Sequence, residues 1–194
     1  MIQIGILALQ GDVSEHFATI TRAAKNLGLL IEAKLVRTKS DLQSLDGLII
    51  PGGESTTMQK LCQREGIWEG MKKIKNIFGT CAGAILLSKT VLNKIPGQKT
   101  LGLMSTTVDR NAYGRQDESF EKNIHTKLGE INVLFIRAPK IRSIGKNVNI
   151  LAREKNNILA CEEKKESNYY LATCFHPEPD SILFHEHFLK NLIV

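Results

Sequence analysis

The chain has 194 residues, 42% of them hydrophobic and 24% charged, with a formal net charge of +6. That suits a soluble globular fold with a sizeable core, and the absence of any run of 18 apolar residues leaves no candidate membrane-spanning helix. The basic residues are scattered, and Lys60, Arg64, Lys72, Lys73 and Lys75 lack interleaved aromatics, which reads as a solvated helical face and argues against a nucleic-acid partner.

Residues Ile2 to Leu9 are short and almost wholly apolar, the pattern of a buried strand in a parallel sheet. The N-terminus lacks a basic stretch followed by a long apolar one and so reads as a strand of the mature fold, not a signal peptide, and the expected location is the cytoplasm. Val13, Phe17, Ile20, Ala24 and Leu27 then recur at helical spacing, with Asp12 as the expected N-cap and Gly28 as the stop. Leu29 to Val36 reads as a second strand and Gly47 to Ile50 as a third. The third runs straight into Pro51-Gly52-Gly53-Glu54-Ser55. A helical pattern follows through Met58, Leu61, Ile67, Met71 and Ile74, with Ser55 able to cap it. Ile77-Phe78-Gly79 is a fourth strand, and a helix begins at Ala82.

Strand–helix alternation of this kind predicts a parallel sheet with helices on both faces. The second half reads differently. Leu101–Val108, Ser119–Ile124, Val133–Ile136, Val148–Ala152, Ile158–Glu162 and Tyr169–Phe175 form a series of strands with short turns, an expected antiparallel extension. A helix from about Asp180 to Leu192 closes the chain. The expected fold class is therefore α/β, a three-layer sandwich around a central, mostly parallel mixed sheet, in a single domain spanning residues 1–194.

Gly79-Thr80-Cys81-Ala82-Gly83 lies between a strand and a helix. This is the pattern of a nucleophile on a tight turn, which needs small neighbours. The helix start favours a thiolate, and the Ala82 N–H can help to hold an oxyanion. His176-Pro177-Glu178 follows another apolar strand. Ligands of α/β sheets bind beyond the carboxyl ends of strands, so both groups are expected on one sheet edge, with Glu178 orienting His176. The Pro51–Ser55 loop follows a third strand, and its paired glycines allow close backbone approach and more than one conformation. Cys62, Cys161 and Cys174 sit in strand or helix patterns and read as packing residues. His185 and His187 do not share a helix face and so do not read as a metal pair. His16 and His125 read as surface or satisfied core residues.

Together these blocks resemble class I, triad-type glutamine amidotransferases. Within them, Leu9-Gln10-Gly11, Gly52-Gly53-Glu54-Ser55-Thr56-Thr57-Met58, Arg110-Asn111 with Gly114-Arg115-Gln116, and Phe135-Ile136-Arg137-Ala138-Pro139 are similar to the glutaminase subunits of pyridoxal 5'-phosphate synthases. The similarity runs in order from residue 9 to residue 178. It implies a flavodoxin-like amidotransferase fold, Cys81 as nucleophile, and His176 and Glu178 as its partners. It further implies that Gly53, Glu54 and Ser55 hold glutamine, that Arg110, Ile136 and Arg137 complete the pocket, and that Gly53 and Ala82 form the oxyanion hole. No metal or organic cofactor is implied. L-glutamine is the implied substrate, and a barrel-type synthase subunit in a hetero-oligomer is the implied partner that uses the ammonia. Asp12 and Pro179 stand where variation is expected to be tolerated. The Arg-Asn-x-x-Gly-Arg-Gln block argues against a glutaminase feeding imidazole glycerol phosphate synthase. The complete Cys81, His176 and Glu178 set argues against a non-catalytic module.

Overall fold

The first strand, β1 (Ile2–Leu7), is buried at its carboxyl end and pairs in parallel with β2 (Ile31–Val36) and β3 (Gly47–Ile50). β3 pairs in parallel with β4 (Asn76–Thr80), and β4 with β12 (Asn168–Thr173). The resulting order, β2-β1-β3-β4-β12, is the doubly wound arrangement whose direction of winding reverses beside β1. The computed structural model describes residues 1–193 apart from residues 111, 113–118 and 179.

Period-two alternation splits the core across this sheet. Ile4, Ile6, Ile49, Phe78 and Leu171 face α1 (Val13–Asn26) and α5 (Leu183–Lys190), which supply Ile20, Ala23, Phe184 and Phe188. Leu7, Leu48, Ile50, Ile77 and Ala172 face the other way, onto α2 (Ser55–Arg64), α3 (Trp68–Met71) and α4 (Ala82–Leu87). The fold is the expected α/β class with helices on both faces.

Beyond β12 the sheet turns antiparallel through β11 (Asn157–Lys165), β10 (Val148–Glu154), β7 (Phe120–Thr126) and β8 (Gly129–Phe135). A side branch adds β5 (Ser88–Leu92), β6 (Met104–Asp109) and β9 (Lys140–Ile144), with β6 parallel to β5 and antiparallel to β9. Two of these strands, β5 and β9, have no counterpart in the sequence reading. β5 starts one residue after α4 ends, with no turn signal between them, and β9 buries Ile141 alone.

The helical patterning from Met58 to Ile74 is realised as two helices, α2 and α3, separated where Gly66 takes a φ of +69°. The cap of α2 is Glu54, whose carboxylate accepts the Thr57 N–H at 2.6 Å, and Ser55 is the first helical residue. Gly28 does end α1 as expected, two residues past its last turn, at a φ of +67°.

Candidate active site

Of the five parallel strands that end on one edge of the sheet, β1, β3, β4 and β12 each lead into a cleft of about 320 Å³. β4 delivers Cys81, which holds a φ of +47° and a ψ of −100°, a strained conformation for a side-chain-bearing residue. Its N–H donates to the Thr173 carbonyl of β12 at 2.8 Å, and its carbonyl accepts the Ile85 N–H at 3.2 Å. The flanking glycines are sterically required. A Cβ on Gly79 would stand 2.5 Å from the Gly83 backbone, and one on Gly83 would stand 2.1 Å from the Ile50 carbonyl oxygen. The turn therefore packs directly on β3. Cys81 itself is 6% exposed, with Sγ 3.9 Å from the Ile136 carbonyl.

β12 delivers His176. The backbone there is clamped to the end of β8: His176 N–H donates to the Leu134 carbonyl at 2.8 Å, and Leu134 N–H donates back at 3.3 Å. His176 Nδ1 lies 2.9 Å from Glu178 Oε1. Glu178 is buried, and its carbonyl accepts the Thr19 hydroxyl of α1 at 2.7 Å. Burial alone would lower the basicity of His176. Hydrogen bonds with Asp12, Cys81 and Glu178 outweigh it and raise the pKa far above the ordinary imidazole value. The imidazole is thereby held protonated beside Cys81.

β3 delivers the Pro51–Ser55 loop. Gly53 takes a φ of +137°, and the Gln10 side chain packs on it. Gln10 Oε1 accepts the Glu54 N–H at 3.0 Å. The loop is thus pinned from the β1–α1 turn, whose Gly11 meets the Gly52 carbonyl with no room for a side chain. Arg110, at the end of β6, is buried and donates to Glu54 Oε1 at 2.9 Å and to Gln98 Oε1 at 3.1 Å. Gln98 in turn donates to Ser55 Oγ at 3.1 Å. Arg137 follows β8 at a φ of +41°.

Gly53, Glu54, Ser55, Cys81, Arg110, Ile136, Arg137 and His176 all line this one cleft, with Gln10, Asp12 and Ile85. Ala82 starts α4 beside Cys81, and Glu178 stands behind His176. The Asn111 and Gly114–Gln116 positions lie outside the described residues.

Sequence reasoning missed two neighbours. Asp12 occupies the N-cap position of α1 but caps nothing with its side chain. Its Oδ2 lies 3.2 Å from His176 Nδ1. His16 is fully buried behind the triad, with Nδ1 2.9 Å from His185 Nε2, and Nε2 3.0 Å from Thr80 Oγ1 and 3.4 Å from Glu178 Oε1. A helix-face periodicity places His16 inward, but nothing local says that a strand end 160 residues later will meet it. Asp12, His176 and Glu178 lie within 4.8 Å of one another. Hydrogen bonding around Nδ1 accounts for that cluster. The other cysteines are buried packing residues, and burial raises the thiols of Cys62 and Cys174 to about 12.

A strained cysteine turn, a histidine and a buried glutamate on one edge of an α/β sheet are the arrangement of a glutamine amidotransferase. The chain belongs to the SNO glutamine amidotransferase family, whose model matches residues 6–194. It is 45% identical to the pyridoxal 5'-phosphate synthase subunit PdxT of Methanocaldococcus jannaschii, over 98% of each chain. It is 43% identical to the protein of the same name from Oenococcus oeni, over 97% of this chain and 96% of the relative. A crystal structure of a glutamine amidotransferase, 42% identical, superposes with a TM-score of 0.83 over 98% of this chain and 99% of that one. No helix among the described residues is long and apolar enough to cross a membrane.

Proposed function

We propose that the whole chain, residues 1–194, acts as the glutaminase subunit of a pyridoxal 5'-phosphate synthase. The Cys81–His176 pairing in a cleft lined by the Gly53 loop carries the chemical part of this reading. The names of the full-length relatives support the pathway part. His176 takes the Cys81 proton, and the thiolate attacks the side-chain carboxamide of L-glutamine. The N–H groups of Gly53 and Ala82 hold the tetrahedral oxyanion. His176 then protonates the departing ammonia, leaving a thioester on Cys81. Water activated by the same imidazole releases glutamate. Glu178 holds the imidazole tautomer and stabilises its charged form.

Glu54, Ser55, Arg110, Ile136 and Arg137 bind the rest of the glutamine. Arg110 is already fixed by Glu54 and Gln98, so its remaining N–H donors are presented at low entropic cost. No metal or organic cofactor takes part in this scheme. The setting is the cytoplasm, where the Cys81 thiol stays reduced.

The ammonia passes to a barrel-type synthase subunit in a hetero-oligomer. Gly53 and its paired glycine leave the loop a choice of backbone conformations, and the Gln10 contact sets which one is held. Docking of the partner is proposed to complete the oxyanion hole. One missing oxyanion donor costs roughly 10²–10³ in kcat, so the isolated chain should be slower than the complex by about that factor. The measurement is glutamate and ammonia release by the purified chain, alone and with a stoichiometric synthase subunit. No glutamine hydrolysis in either case would overturn the glutaminase reading. A rate unchanged by a bound partner would overturn the coupling alone.

A further inference from the structure

We propose that Asp12 is a positioning residue, a second carboxylate that shares the Nδ1 edge of His176 with Glu178 and tunes the imidazole from the solvent side of the cleft. This rests on the catalytic reading of His176 given above. An aspartate at an N-cap ordinarily accepts an N–H from the first turn of its helix. Asp12 does not, although it holds that position at the start of α1. Its Oδ2 instead lies 3.2 Å from His176 Nδ1, beside Glu178 Oε1 at 2.9 Å.

The backbone is built to permit this meeting. A Cβ on Gly52 would stand 2.1 Å from His176 Cε1 and 2.8 Å from Asp12 Oδ2. Only glycine at position 52 leaves both groups room to approach. The two carboxylates differ in setting. Glu178 is 1% exposed, whereas the Asp12 side chain is 38% exposed and lines the cleft. The hydrogen bond to His176 keeps the Asp12 carboxyl below its ordinary pKa despite partial burial.

Nδ1 carries one hydrogen, which Glu178 accepts, and the Asp12 carboxylate stands 3.2 Å from the same nitrogen. Like charges this close repel unless a cation lies between them, so together they favour the imidazolium form. The groups that act on His176 are Asp12 from the β1–α1 turn, Cys81 from the start of α4 and Glu178 beyond β12. His16 of α1 also feels its charge from behind. Losing one carboxylate leaves the other beside Nδ1. No local pattern signals this role, because residue 12 reads as a replaceable cap.

The decisive measurement is a titration of the His176 imidazole by NMR in a Cys81→Ala background, where thiol coupling is removed. Adding Asp12→Asn removes one negative charge, which destabilises the protonated ring. The His176 pKa should fall by about one unit. Asp12→Ser, which keeps a capping oxygen without charge, should give the same shift and serves if the asparagine variant folds poorly. An unshifted His176 titration in a folded variant overturns the proposal. This readout does not depend on glutamine turnover, so a failure of the glutaminase reading would show separately, as a shifted titration in a protein that hydrolyses no glutamine.

With Cys81 intact, the activity test is a double-mutant cycle. Asp12→Asn alone should lower kcat/KM by less than about tenfold, and the Asp12→Asn, Glu178→Gln double variant should fall below the product of the two single effects. Removing the charge also shifts the whole kcat/KM pH profile towards acid, which a purely structural capping role would not do. Additive losses with an unmoved pH profile would overturn it.

Discussion

Cys81, Gly53 and His176 stand just past the ends of parallel strands β4, β3 and β12, whereas Arg110, Ile136 and Arg137 reach the same cleft from β6 and β8 in the other half of the sheet. The two sets differ in how their backbones are held. The cysteine turn is locked by contacts that admit nothing larger than glycine at positions 79 and 83. Arg110 is held by its side chain, through Glu54 and Gln98. The parallel half thus fixes reacting atoms through backbone geometry. The antiparallel half supplies adjustable walls. Under the proposed mechanism the parallel half carries the reacting groups and the other half adds walls that recognise the substrate, and each of the following variants tests that division.

The largest effect is expected at Cys81. Cys81→Ala should reduce glutamine hydrolysis to background while the circular dichroism spectrum is retained, because alanine fits the same turn. A glutamine-like electrophile should label Cys81 and no other cysteine, since Cys62 and Cys174 are buried thiols raised to about 12. Normal turnover by a folded Cys81→Ala protein would end the division at once. Next come His176 and Glu178. His176→Asn should be close to inactive, because the ring itself moves protons. Glu178→Gln should be impaired yet measurable, by roughly 10²–10⁴ in kcat. Steady-state kinetics on both variants decides. A Glu178 variant at the wild-type rate would remove that residue from the triad.

The parallel half was also the more legible, apart from β12, which the sequence reading placed in the antiparallel extension and which pairs in parallel with β4. Its strands are continuous apolar runs punctuated by glycine, and the reading of β1, β3 and β4 lies within about two residues of the observed limits. Burial on both faces produces that signal. β5 and β9 carry no such run, with burial confined to a few positions. That Cys81, His176 and the Gly53 loop share one edge was readable because each follows a strand end, whereas Arg110, Ile136 and Arg137 came from the family resemblance alone. What stayed hidden was contact between distant segments. Asp12 looks like a cap until β12 brings His176 against it, and His16 looks like an ordinary core residue until α5 brings His185 to its Nδ1. Patterns of period 3.6 say which face is inward but not what waits there.

Arg110 probes the recognising half. Buried and paired on both sides, it is not a surface arginine. Arg110→Ala should raise KM for glutamine about tenfold or more and lower kcat less, the signature of lost ground-state binding. The loss includes leaving Glu54 without its cation. Arg110→Lys should recover little, because one ammonium cannot reproduce a two-sided guanidinium contact. Unchanged kinetics at low glutamine concentration would show that the arginine serves the fold and not the substrate.

The effect smallest on turnover concerns stability, and it comes from the packing behind the reacting edge. His16 and His185 are fully buried, and burial lowers their pKa from 6.5 to about 4 and about 3 respectively. Both are therefore neutral in the folded protein at pH 7. In the unfolded chain they bind protons once the pH falls below 6.5. The unfolded state then gains protons that the folded state refuses, so stability is full above that value and falls as the pH drops towards 4. Between pH 6.5 and pH 5 each histidine should cost roughly 2 kcal/mol, at 1.36 kcal/mol per unit. His176 does not add to this slope. Its raised pKa contributes stability that is fully present below 6.5 and is lost only as the pH rises through the raised value. Asp12, with its lowered pKa, acts only below the ordinary carboxylate range. Urea unfolding at pH 7 and pH 5 gives the slope directly. His16→Gln keeps a hydrogen-bonding side chain near Thr80 and Glu178 but cannot titrate, so it should be less stable at pH 7 yet lose about half of the acid sensitivity. An acid slope identical to that of the unaltered protein would show that His16 is not held neutral, and that the charge of the triad reaches further into the core than its hydrogen bonds.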